Sequence, residues 1–185
     1  MKYLRRGIWY LASRLLLVSL ILALMITVFY YAMNLTNIQI ILKDGMATRA
    51  KYIMGISDNL DDLGKYFSSQ YVRTSNGALE TRDDMIRQTF DGKSPYANYS
   101  VRGIDHRLDV DFFWIWPGED EDVDIVIHER IPRIDGRVKG SVADDVIREN
   151  GAEAVYPPDW DEATYKVTMK KEGDQWKIAK MERTD

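Results

Sequence analysis

Hydrophobic and polar positions divide the chain into three regimes. The first is RLLLVSLILALMITVFYYAMNLTNIQIILK, residues 14–43, in which positions 15–42 carry no charged side chain. A helix needs about 20 apolar residues to cross the hydrocarbon of a bilayer, whereas the apolar part of a cleaved signal has about 7–15 and ends on small residues. This run closes on Tyr30-Tyr31-Ala32-Met33-Asn34, without an A-x-A pattern. The pattern predicts an uncleaved transmembrane helix over 15–34 behind a short N-terminal segment, 1–14. Trp9 and Tyr10 precede the run, and Tyr30 and Tyr31 lie late in it. Tyr10 and Tyr30 would stand about 30 Å apart along a helix, the separation of two interfacial aromatic belts. Arg14, one turn inside, would reach back to the headgroups.

The second regime is a stripe of alternating four- and three-residue steps, Ile38, Leu42, Gly45, Arg49, Tyr52 and Ile56. It predicts a membrane-proximal helix over 35–56 whose apolar face is covered either by its own domain or by a second copy of the chain. In the second case Ile38, Leu42, Gly45 and Tyr52 are the self-association surface. Arg49 interrupts the stripe and must point away or find an acid.

The third regime, 57–185, is mixed. SDNLDDLGKYFSSQYV, 57–72, carries Leu60, Leu63, Tyr66, Phe67 and Tyr71 on one helical face behind a capping residue. A turn at Thr74-Ser75-Asn76-Gly77 follows, then a helix over 81–90 that opens on a capping box, Thr81 with Asp84. From Tyr99 the period becomes two, predicting strands over 99–107 and 108–116, the second with Val110, Phe112, Trp114 and Trp116 on one face. A return strand over 123–134 follows a turn at 117–122. Residues 135–160 read as irregular apart from a short helix over 142–150 ended by Gly151. Tyr165, Val167 and Met169, then Glu172-Gly173-Asp174, then Trp176 and Ile178 form the clearest hairpin. The predicted fold class is α+β, a single transmembrane helix followed by an independently folding domain over 57–185 with N-terminal helices packed on an antiparallel sheet.

Charge sharpens the topology. Lys2, Arg5, Arg6 and Arg14 precede the span with no acid among them, whereas Lys43, Asp44, Arg49 and Lys51 follow it. Positive residues stay on the cytoplasmic side, so the N-terminus is expected inside and the domain outside the plasma (inner) membrane. The whole chain is at −4, which leaves the C-terminal part strongly acidic and argues against a nucleic-acid partner. The chain has no cysteine, so an exported domain is not a disulfide scaffold, which suits a bacterial envelope protein.

Chemistry is sparse. His106 and His128 are the only histidines. Asp105 and His106 are adjacent and point to opposite faces of a strand, so His106 would need Asp109, Asp111 or Asp124 from a neighbouring strand to orient it. Glu119, Asp120, Glu121 and Asp122 form an acidic turn without calcium-loop spacing. It is a candidate docking loop for a basic partner. No phosphate-binding loop, nucleophile motif or cofactor motif is present, and neither a catalytic role nor a cofactor is assigned.

The order of elements resembles the cone-shaped nuclear-transport-factor-2-like superfamily. DNLDDLGKYFSSQYV is similar to the opening helix of such domains, the hairpin over 108–134 to their curved sheet, and YKVTMKKEGDQWKI to their last hairpin. A single span before such a domain is similar to bitopic inner-membrane assembly factors of secretion and conjugation systems and to membrane-anchored parts of sporulation complexes. The resemblance implies a curved α+β cone used as a protein-interaction module, with the lipid bilayer and either other envelope proteins or a second copy of itself as partners. The same fold also serves small-ligand-binding proteins and enzymes, with an Asp and a His inside the cone, so fold alone leaves both classes open.

Overall fold

The computed structural model describes residues 2–115 and 122–184, with side chains from Trp9 onward. Helix α1 runs without a break from Lys2 to Ile53. From Leu15 to Met33 it is free of charge and apolar on every side, with mean hydropathy reaching 2.5 in a window none of which is buried, so it is long and apolar enough to cross a membrane. The hydroxyls in this stretch are satisfied within the helix: Ser13, Ser19, Thr27 and Thr36 donate to carbonyls three or four residues back, at 2.9 Å. The helix ends on Gly55, at φ +70°. The Ile56 N–H reaches the Lys51 carbonyl at 2.9 Å and the Gly55 N–H reaches that of Tyr52 at 3.0 Å. That pair of bonds is a Schellman closure, and its left-handed position favours glycine.

By internal contacts the described residues form two units, one of 2–37 with 114–115 and one of 38–113 with 122–184. The division falls inside α1. Leu15, Leu16, Leu20 and Leu24 are each more than half exposed, whereas Ile38, Leu42, Met46, Ala50 and Ile53 are fully buried in the second unit. The unit that holds the sheet therefore includes α1 from Ile38 onward, and the stripe on α1 is part of its core.

That core is one face of a four-stranded antiparallel sheet, in the order β3 (Tyr99–Val110), β4 (Val123–Val138), β5 (Ala163–Glu172), β6 (Gln175–Arg183). Ile125, Ile127, Glu129 and Ile131 on β4, Tyr165, Val167 and Met169 on β5, and Trp176 and Ile178 on β6 form the buried face. Helix α1 lies against it at Gly45, where an added Cβ would come within 3.0 Å of Ile178 Cδ1 and of Tyr66 Cβ. The predicted terminal hairpin is present, with Gly173 at φ +64° in its turn. Helix α3 (Ala143–Asn150) and Gly151 after it also stand where the pattern placed them.

Four expectations change. Residues 57–72 do not form a helix but a short 3-10 turn, Leu60–Lys65. The sheet edge takes the rest: Ser68 N–H donates to the Ile178 carbonyl at 2.9 Å and Ile178 N–H to that of Tyr66 at 2.8 Å. Leu63, Phe67 and Tyr71 are still buried, so the apolar side chains were identified although the backbone was not. The turn at Asn76-Gly77 joins two short strands, β1 (Val72–Ser75) and β2 (Ala78–Thr81), with positive φ at both turn residues, as a tight hairpin requires. Helix α2 covers Asp84–Phe90, and its cap is Asp83, not Thr81. Finally, 99–107 and the start of the next predicted strand are one continuous strand with two register shifts, and β4 runs on to Val138. The predicted strand end at Trp116 and the turn at 117–121 lie outside the described residues.

Candidate functional site

A buried charge cluster lies where α1, α2 and the inner face of the sheet meet. Arg49, on the last turns of α1, is 2% exposed, Asp83 5% and Glu129 0%. The Arg49 Nε donates to Asp83 Oδ2 at 2.5 Å, and its Nη1 faces Glu129 Oε2 at 3.6 Å. Asp83 caps α2 at the same time, accepting from Met85 N–H at 3.0 Å and Ile86 N–H at 3.2 Å. The Tyr71 hydroxyl donates to Asp83 at 3.3 Å, and His106 Nε2 lies 3.0 Å from Glu129 Oε1. The guanidinium stacks near two rings, 5.9 Å from the centre of Trp160 and 5.7 Å from that of Tyr165.

Electrostatics follows from this geometry. Burial alone would lower the pKa of Arg49, but Asp83 and Glu129 beside it reverse the effect and hold it charged. Burial alone would raise Asp83, and the adjacent guanidinium, with the two N–H donors of α2, pulls it below the usual carboxylate range instead. Burial, reinforced by the Asp83 charge, pushes the Tyr71 phenol well above its ordinary value. One cation thus ties two acids from distant elements. His106 and Glu129 have the spacing of a base and its orienting acid, but Glu129 is shared with Arg49, and the His106 side chain is 9% exposed.

The expected partners of His106 are engaged elsewhere. Asp109 binds Arg130 at 2.6 Å, Asp111 lies 3.4 Å from His128, and Asp124 accepts from Thr168 at 2.7 Å, all on the outer face. His106 faces inward and so meets Glu129, which sequence reasoning did not single out. His128 also contacts Thr164 at 3.0 Å, beside a shallow depression of about 410 Å³ that Asp109, Arg130 and Glu162 also line. Among the described residues, no group of three or more His, Asp or Glu side chains is placed to hold a metal ion.

The other predicted residues separate clearly. Trp9 is 75% and Tyr10 58% exposed, and the Arg14 guanidinium sits 5.2 Å over the Tyr10 ring. Tyr30 and Tyr31 are half-buried, and Tyr31 stacks on Trp114 at 4.3 Å. Ile38, Leu42, Gly45 and Tyr52 are buried inside the chain's own domain, so the chain itself covers the stripe. Of the acidic loop, Glu119, Asp120 and Glu121 lie outside the described residues, and Asp122 is exposed, 3.8 Å from Lys170.

Comparison with protein-family models, curated proteins and solved structures gave no match. The class defined by the structure is an α+β domain with an antiparallel sheet, carried on one long apolar helix that also enters the domain's core.

Proposed function

We propose that this is a single-pass membrane protein, N-terminus in the cytoplasm, whose extracytoplasmic α+β domain is a protein-interaction module in the assembly of a bacterial envelope complex. The carrying observation is that α1 supplies both the exposed apolar stretch and the core positions Ile38, Leu42, Met46 and Ala50. Membrane attachment and domain folding then depend on one helix, which suits a protein whose task is to hold others at the membrane. Charge supports the orientation, since Lys2, Arg5, Arg6 and Arg14 precede the span and Arg49 beyond it is neutralised in the buried cluster. The buried meeting point of α1, α2 and the sheet holds Arg49 tied to Asp83 and Glu129, which supports a structural role for these charges. The rival, a ligand-binding or enzymatic cone, draws on the His106–Glu129 pair.

Two measurements test the proposal. A phosphatase joined after Asp185 is expected to be active and a cytoplasm-only reporter silent; the reverse would overturn the orientation. In native membranes the protein is expected to migrate in a complex with other membrane proteins, and deleting it should lower their assembly. His128→Ala and His106→Gln should keep this role. Loss of the role at normal membrane level, with the protein migrating alone, would establish the enzymatic reading.

A further inference from the structure

We propose that the outer face of the sheet around Arg102, Arg137 and Lys139 is a docking surface for an extended acidic segment of a partner protein. The inference deepens the reading of this domain as an interaction module by giving the partner's chemistry. Among the described residues beyond Ile38, most arginines form an ion pair with an acid. On β3 and β4 themselves, Arg107 holds Asp105 at 2.7 Å and Arg130 holds Asp109 at 2.6 Å. Arg82, Arg102, Arg133 and Arg137 form no such pair, and the last three lie close together on the same two strands.

The strand register brings these cations together. Arg133, Asp135 and Arg137 alternate along β4 and so share one face, opposite Asp105, Gly103 and Ser100 of β3. Arg102 is the extra residue of a bulge between Val101 and Gly103, which leaves it outside the ladder and exposed. Ser100, Arg102, Asp135, Arg137 and Lys139 line an open depression of about 470 Å³. The Lys139 ammonium is steadied there by the Ala97 carbonyl at 2.8 Å. Three cations and one acid thus meet in a chain that is acidic overall. An exposed arginine with no acid beside it is available to a carboxylate, which its planar fork binds through two parallel bonds.

Shape selects an extended occupant. Arg133 and Arg137 are about 13 Å apart along β4, too far for one small anion to bridge. Same-face side chains of an extended chain recur about every 7 Å, so alternate acids match this row. In addition, β3 is an edge of the sheet, and among the described residues no strand pairs with its other side. An extended segment laid there gains main-chain bonds as well as charge pairs. The opposite edge, β6, is already bridged by Phe67.

The full chain in a neutral detergent is titrated into a short fluorescein-labelled peptide of alternating Glu and Thr. Anisotropy should report binding that weakens as salt rises, and a Gln–Thr peptide should not bind. R102Q/R137Q should weaken binding at least about tenfold, whereas R82Q, an equally unpaired arginine beside α2, should leave it unchanged. Each variant should melt as the wild type does, since these side chains are exposed. No binding, or binding indifferent to R102Q/R137Q, would overturn the inference. So would inorganic phosphate that binds as tightly as the peptide, marking a site for a single anion, or a dimer lost in R102Q/R137Q, assigning the face to a second copy. A protein that stays in its native-membrane complex without binding the peptide loses only this surface. One that migrates alone yet binds the peptide through Arg102 and Arg137 loses the assembly role and keeps the surface.

Discussion

Replacing Arg49 by methionine is the sharpest perturbation of this fold. Methionine preserves much of the apolar stem, so packing against Trp160 and Tyr165 is largely kept. What is lost is the single cation between Asp83 and Glu129, leaving two acids that are 5% and 0% exposed without a counter-charge. Removing one partner from a buried ion pair costs about 3–5 kcal/mol, most of it from the stranded charge. The helix cap survives, since Asp83 still accepts from Met85 and Ile86. Urea unfolding of the full chain in mild detergent, followed by tryptophan fluorescence, measures the loss. Adding Asp83→Asn and Glu129→Gln, which neutralise both acids and retain polar groups, should recover most of it. The pH dependence gives an independent sign. In the wild type Asp83 has a depressed pKa, so its contribution is complete above the unfolded value of about 3.9 and fades only as pH falls through the lower folded value. In the variant, burial dominates and raises the Asp83 pKa. Its penalty is then full at neutral pH and relieved as pH falls towards about 4. The stability gap should therefore narrow between neutral pH and about 4. A loss below about 1 kcal/mol, or a gap that widens in that window, would refute the cluster as a structural tie.

Three further outcomes follow. Gly45→Leu should destabilise the domain by about 1–3 kcal/mol, because a side chain there meets Tyr66 Cβ and Ile178 at 3.0 Å. Trp176→Ala should cost about 3–5 kcal/mol in the same unfolding assay, since the ring is 3% exposed on β6. In alkali the buried phenols oppose ionisation: Tyr71 is shifted well up and Tyr96 is pushed up to about 12, by burial first. Their contribution is complete below the unfolded value of 10.0 and falls away as pH rises beyond it. Tyr71→Phe should flatten that loss in alkaline melts.

The parts of the fold legible in the sequence are those set by local rules. A run of apolar residues marks α1, Asn76-Gly77 and Gly173 mark tight turns, and strict alternation marks β5 and β6. What local rules do not contain is competition with distant strands. Residues 57–72 carry good helix caps and a helical apolar face, yet the edge of β6 offers Tyr66 and Ser68 backbone partners that a helix would forgo. The charge cluster was hidden for the same reason, since Arg49 and Asp83 are 34 positions apart and His106 and Glu129 are 23. One local sign existed. A lone arginine within an otherwise apolar stripe has to be matched by a buried acid, and Arg49 was marked as needing one. Asp83 was overlooked because Thr81 and Asp84 made an equally good capping box.

The central claim is that the helix carrying the apolar span is also a core element of the domain. Its most direct test is the thermal melt of residues 38–185 beside that of residues 57–185, each followed by circular dichroism. The shorter fragment lacks Ile38, Leu42, Met46, Arg49 and Ile53, each at most 2% exposed, and leaves Asp83 and Glu129 uncompensated. The account predicts a cooperative transition for 38–185 and none for 57–185. A fragment 57–185 that melts cooperatively, at the same temperature as 38–185, would contradict it.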